Sequence, residues 1–347
     1  MRRLIPSLVA TVALAAGCGG GDAGTATGSE NSGAPGGGVT AAAAVFPLAW
    51  MAQEIAPGAE VEFLGAGSQE AHGLDLTPGQ RGAVESADVL LYLGDVGYQP
   101  QVEAAADSAG GVVVDVAAVV GPDRLRPAAD DPHGHGEEAG DAASTQPADD
   151  HAAGDDEAAE EGHSAPEQHT EGSVDVHVWF NATLMADVAQ RVGAAFAEAD
   201  PSNAEAYTAN AERVRTQLLG VAGEVDRLLG GECRFDEAVV SHAAYGYLLS
   251  PHGIGQHGLV GVASGEAGAS SRELAEVVAE VEAEGFTHVL AEPVEGRADA
   301  EAVAREAGVQ LLEVYPLDVV ADELAQRGYP TLLREQAETF ATALGCG

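Results

Sequence analysis

Apolar residues along this chain fall in short runs separated by amphipathic stretches. From Val39, "VTAAAAVFP" is an unbroken apolar run of strand length, Pro47 opens the helical stretch "PLAWMAQEIA", and "AEVEFLGA" returns to strand. After a loop holding His72, Thr77 predicts an N-cap and Pro78 the first position of the helix "PGQRGAVESA". "DVLLYLG" and "GVVVDVA" read as two more strands around the helix "YQPQVEAAADSAG". Strand and helix in alternation predict an α/β fold with mainly parallel sheet, whose ligand sites lie at the carboxyl ends of strands.

The later part of the chain repeats that grammar. "CRFDEAVVSHAAYGYLL" is a strand running into His242 and a helix, "SRELAEVVAEVEAEG" a helix, "FTHVLAEP" a strand ending at Glu292, "ADAEAVAREAG" a helix and "VQLLEVYPLD" a last strand. His288 lies inside its strand and reads as packing, while His252 and His257 in "SPHGIGQHG" read as exposed on a Gly-rich loop. Between the halves, Asn181 caps a helix with Leu184, Val188, Val192 and Phe196 on one face, which puts His177 in the loop at its mouth. Residues 203–229 follow with Val214, Leu218, Val221, Val225 and Leu228 on one stripe, a single amphipathic helix about 40 Å long. It reads as a spine between an N-terminal lobe, residues 39–202, and a C-terminal lobe, residues 230–347.

Residues 121–172 break the pattern. From Asp130 the stretch holds no lysine or arginine, almost no large apolar side chain, and five of the chain's eleven histidines: His133, His135, His151, His163 and His169. Such a composition cannot bury enough surface to order itself, and predicts a disordered acidic insertion able to hold metal weakly. The amino terminus, "MRRLIPSLVATVALAAGCGG", has two arginines, a short apolar run and small residues, the layout of an export signal over residues 1–17. Its "LAAGC" resembles a bacterial lipobox, which implies lipidation of Cys18 and a membrane tether through the Gly/Ser-rich linker 18–38; an ordinary cleaved signal is the alternative.

A formal net charge of −41 excludes a nucleic-acid footprint, which needs basic residues. With Cys18 lipidated, Cys233 and Cys346 are the remaining two cysteines, and outside the cytoplasm they either join or stay as two thiols.

Four motifs, in order, then carry a resemblance. "AHGLDLTP", "DVHVWFNA", "SHAAYGYL" and "VLAEP" are similar to the "PHDYEPTP", "DPHVWLDP", "HDAFGYF" and "IFAEP" of the zinc/manganese solute-binding proteins of ABC importers, and more closely of their zinc-uptake members. The resemblance implies two βα lobes joined by a rigid helix, a monomer outside the cytoplasm, and Zn²⁺ captured between the lobes for delivery to a membrane permease. It implies His72, His177 and His242 as ligands. Where that family places an Asp in "LDPLG", this chain has "VYPLD" with Tyr315 at the aligned position, so the fourth ligand is open among Asp318, Glu70, water and Glu292.

The chemistry of the donors agrees with that resemblance. Zn²⁺ takes four N, O or S ligands in a tetrahedron, and three imidazoles on separate loops can converge in a cleft. Harder manganese or iron would want more carboxylate. A zinc-buffering lipoprotein is a further alternative, and an exported zinc hydrolase another, although no HExxH occurs. Imidazole ligates when neutral, so its ordinary pKa predicts that affinity falls as pH drops through about 6.

Overall fold

The computed structural model describes residues 38–67, 71–94, 96–128, 174–260 and 269–347. Cys18, Glu70, His133, His135, His151, His163 and His169 lie outside the described residues. The first lobe runs β1 (Thr40–Ala43), α1 (Phe46–Ile55), β2 (Glu60–Phe63), α2 (Pro78–Ser86), β3 (Val89–Tyr92), α3 (Pro100–Ala106), β4 (Val112–Asp115) and α4 (Val116–Val120). Its strands form one parallel sheet in the order β2-β1-β3-β4. Helix α2 starts where the sequence predicts: Thr77 accepts from the Gln80 amide and Gln80 reaches back, a full capping box.

Residues 121–128, expected to belong to the insertion, are instead part of the fold. Arg124 pairs with Asp187 at 2.8 Å, and Pro127 forms an isolated antiparallel bridge with Val174. The described segments that flank residues 129–173 are thereby joined to each other. The chain continues as a 3₁₀ turn at Val178–Phe180, then α5 (Ala182–Ala199), capped as expected by Asn181, and α6 (Ala204–Leu229).

Helix α6 spans 26 residues, about 39 Å at 1.5 Å each. Val214, Leu218, Val221 and Val225 are buried as their spacing predicts, but the stripe ends on Leu229 rather than Leu228, because 3.6 residues per turn drifts off a strict 3.5 repeat. α6 packs on α1 and α5 and on the closing helix Tyr329–Leu344 of the second lobe. Gly193 of α5 makes this crossing close, since a Cβ there would stand 2.4 Å from the Ala211 Cβ.

The second lobe runs β5 (Glu237–His242), α7 (Gly246–Leu249), β6 (Gly255–Val260), α8 (Ser271–Glu284), β7 (His288–Ala291), α9 (Arg297–Ala307), β8 (Gln310–Glu313), α10 (Asp322–Ala325) and α11 (Tyr329–Leu344). Its parallel sheet has the order β6-β5-β7-β8. β6 corrects the sequence reading of "GIGQHG" as an exposed loop: the segment pairs with β5, His257 is 6% exposed, and its Nδ1 lies 3.3 Å from Glu280. His252 is likewise largely covered, in the turn before β6. His288 opens β7, half-buried beside the Thr287 hydroxyl. Cys233 and Cys346 are joined by a disulfide, which ties the end of α11 to the root of β5. No helix of the described residues is long and apolar enough to cross a membrane.

Candidate metal centre

Three connections deliver three imidazoles. His72 sits between β2 and α2, in a loop held from below by buried Gln99, which donates to the Ala71 carbonyl at 3.0 Å. Gly73, at φ +63, donates to the Tyr98 carbonyl at 3.0 Å, in a backbone region that suits glycine. His177 precedes the 3₁₀ turn; its backbone amide donates to Asp175 Oδ1 at 3.0 Å, and its Nδ1 lies 2.9 Å from the same oxygen. His242 is the last residue of β5, at a strand's carboxyl end where parallel sheets place ligands.

The three rings converge. Their ligand nitrogens lie within 4.8 Å of one another, and His72 Nε2 stands 3.3 Å from His177 Nε2. His177 and His242 are fully buried, and His72 is partly covered with its ring edge-on to Tyr98 at 4.7 Å. Trp179 flanks His177 at 5.3 Å and donates from Nε1 to the Pro316 carbonyl at 2.7 Å, joining the site to the segment after β8.

Carboxylates stand behind the imidazoles. His242 Nδ1 faces Glu295 at 2.6 Å and Glu292 at 3.4 Å, which leaves Nε2 as its nitrogen for the cluster. Glu292 is buried, with Oε1 accepting from Tyr245 at 2.7 Å. Asp318 is buried and accepts from the Tyr98 hydroxyl at 2.9 Å. Among the described residues, the groups able to bracket an ion are His72/His177/His242 and His242/Glu292/Glu295; Asp318 belongs to neither set, and neither does Glu292 to the three-imidazole set. A cavity of about 480 Å³ opens beside them, lined by Phe46 and Phe63 of the first lobe and by Glu292, Glu295, Asp318 and Asp322 of the second.

This environment divides the histidines. Burial, then the neighbouring His177 and His242, push the His72 pKa down to about 3, so its imidazole is neutral at any physiological pH. His242 goes the other way: burial would lower it, but hydrogen bonds and charge from Glu292 and Glu295 override that and raise it to about 10. Burial raises the carboxyls of both Glu292 and Asp318. Three largely buried imidazoles can hold a borderline metal ion and release it, with His242 trading a proton for it.

Sequence reasoning missed Asp175, Glu295, Tyr98 and Tyr245, which contact the three imidazoles or the carboxylates beside them. Asp175 had a signal, standing two residues before His177, and Glu295 stands three beyond Glu292 in "EPVEG".

The family model described as "Zinc-uptake complex component A periplasmic" matches residues 42–343. The zinc-binding protein AdcA of Streptococcus pyogenes serotype M6 is 26% identical over 176 residues, covering 50% of this chain and 34% of that protein. The chain thus spans about a third of the length of the curated relatives it matches. Among solved structures, the Zn(II)-bound ZnuA-like domain of Streptococcus pneumoniae AdcA superposes with a TM-score of 0.63 at 17% identity, over 89% of this chain and 99% of that one. The periplasmic zinc-binding protein TroA of Treponema pallidum gives 0.67 at 17% identity, over 89% and 99%. At these identities the structures establish a shared fold.

Proposed function

We infer function from kinship and geometry together: the chain belongs to the zinc-uptake complex component A family, and its three clustered imidazoles make it the extracytoplasmic zinc receptor of an ABC importer. Zn²⁺ is its cargo. The ion is taken up between the two lobes, held by His72, His177 and His242, and handed to a membrane permease. Ligand exchange is the whole event, and no substrate bond is made or broken.

One observation carries this reading: nitrogens from residues 105 and 65 positions apart in sequence lie within 4.8 Å, an arrangement that three separate segments have no packing reason to produce. Asp318 is proposed as the fourth ligand. It is buried, His177 pulls its carboxyl down against the rise from burial, and in binding it would exchange the Tyr98 hydroxyl for the ion. Glu292 is less suited, being engaged by Tyr245 on the far side of His242. Export and lipidation at Cys18 would place the receptor at the outer face of the cell membrane. Calorimetric zinc titration tests the site: H72A, H177A and H242A should each weaken binding by orders of magnitude with the thermal transition retained, and near-native affinity in all three would overturn it.

A further inference from the structure

His242 is unusual in having two carboxylates against one nitrogen, and they are not equivalent. Glu292 lies 3.4 Å from Nδ1 and spends its Oε1 on the Tyr245 hydroxyl at 2.7 Å. Glu295 lies 2.6 Å from Nδ1, with its side chain 12% exposed on the rim of the cavity. Both are placed by the same piece of backbone. The Glu292 amide donates to Ser241 Oγ at 3.0 Å, and Gly296 stands in the left-handed region at φ +61, so close that a Cβ there would meet the Ser241 carbonyl at 2.6 Å. The turn from Glu292 to Gly296 is therefore clamped onto the residue directly before His242, and any side chain at 296 would push Glu295 away from the ring.

The same three side chains are close enough to suggest a second metal position. Distance argues against it. An ion about 2.0–2.2 Å from each donor in a tetrahedron would hold them roughly 3.4 Å apart, whereas His242 Nδ1 and the Glu295 oxygen stand 2.6 Å apart, an ion-pair contact too short to bracket a metal.

Resting on the zinc-receptor reading, we propose that Glu295 is the positioning residue of the site: it accepts the Nδ1–H of His242, fixes that tautomer and ring orientation, and so presents Nε2 to the ion, while Glu292 serves Tyr245. A carboxylate behind a ligating imidazole both locks the ring and increases its donor strength, and losing such a partner costs roughly 10–100-fold in metal affinity.

The test compares E295A, E295Q and E292Q in the full chain, with Zn²⁺ affinity read by chelator competition and the His242 tautomer read from ¹⁵N ring shifts of the zinc-loaded protein. E295A should weaken zinc about 10–100-fold and lose the single Nδ1–H form. E295Q, which keeps an acceptor oxygen, should retain that tautomer and recover part of the affinity. E292Q should cost less than E295A. The assignment is overturned if E295A binds within about threefold of the parent, if E292Q costs more, or if E295Q loses the tautomer. Should E295A not fold, the E295Q spectrum alone decides. H177A in the same assay separates the two levels: native affinity in H177A would remove the three-histidine site itself, whereas lost affinity in H177A with an unchanged E295A removes only the role of Glu295.

Discussion

Raising the pH from 7.0 to 8.5 should tighten zinc binding by a factor that the histidine environments set. Zinc on Nε2 of His242 requires that nitrogen to be deprotonated, and in the metal-free protein Glu292 and Glu295 hold its pKa near about 10. His72, near about 3, contributes no proton anywhere in this range. One proton therefore leaves for each zinc bound. The free energy needed to release it at pH 7 is about 4 kcal/mol, three units at 1.36 kcal/mol each, and it shrinks by that amount per pH unit gained. The association constant should accordingly rise about tenfold per unit, roughly 30-fold over the interval. The sign follows from a raised pKa: the proton is held below about 10, so binding strengthens as pH climbs toward it. An ordinary histidine at about 6.5 would instead give a nearly flat constant above pH 7. Chelator competition in a metal-buffered series measures the slope, and calorimetry in two buffers of different ionisation enthalpy counts the protons. A slope near zero with no proton released would refute the reasoning, showing that His242 is already neutral when zinc arrives.

Other perturbations probe separate parts of the molecule. D175A removes the oxygen that holds both the amide and Nδ1 of His177, and should lower zinc affinity about 10–100-fold, with D175N losing less; chelator competition reads both. C233S/C346S opens a crosslink between residues 113 apart, worth about 4.8 kcal/mol in chain entropy. At about 2.1 cal/mol/K per residue over roughly 250 folded residues, calorimetry should find the melting temperature lower by about 9 °C with zinc affinity unchanged. Deleting residues 130–171 should leave the melting temperature and the tight site intact while reducing the number of zinc ions bound at saturation by equilibrium dialysis. A lost tight site would place that insertion among the ligands.

Legibility in the sequence followed how local each signal was. Thr77 with Gln80, and Asn181 before Ala182, marked helix starts because a cap needs only a few neighbouring residues. In the first sheet β1 and β3 were legible as continuous apolar runs, as both-sided burial demands, and the edge strand β2 as an alternation of Glu60 and Glu62 with Val61 and Phe63. β6 was not, because an edge strand pairs on one side only and tolerates Gly255 and Gly258, which read as turn residues. That His72, His177 and His242 cluster was legible through motif order, since nothing in their spacing predicts that they meet. Glu295 escaped because its role depends on the left-handed conformation of Gly296 against Ser241, a contact between distant segments that no local pattern encodes.

The bridge between Pro127 and Val174 has a consequence for what this scaffold can carry. With both ends of the intervening stretch fastened, its length barely enters the energetics of folding: doubling a closed loop costs only about 0.6 kcal/mol. Chain can be added or removed there almost neutrally, by evolution or by an engineer grafting a reporter domain. The graft would also be well placed to listen. The Asp175 amide donates to the Arg126 carbonyl at 2.9 Å beside the bridge, and Asp175 is the residue that holds His177, so a fluorophore inserted at this gate would sit one hydrogen bond from an imidazole proposed to hold zinc.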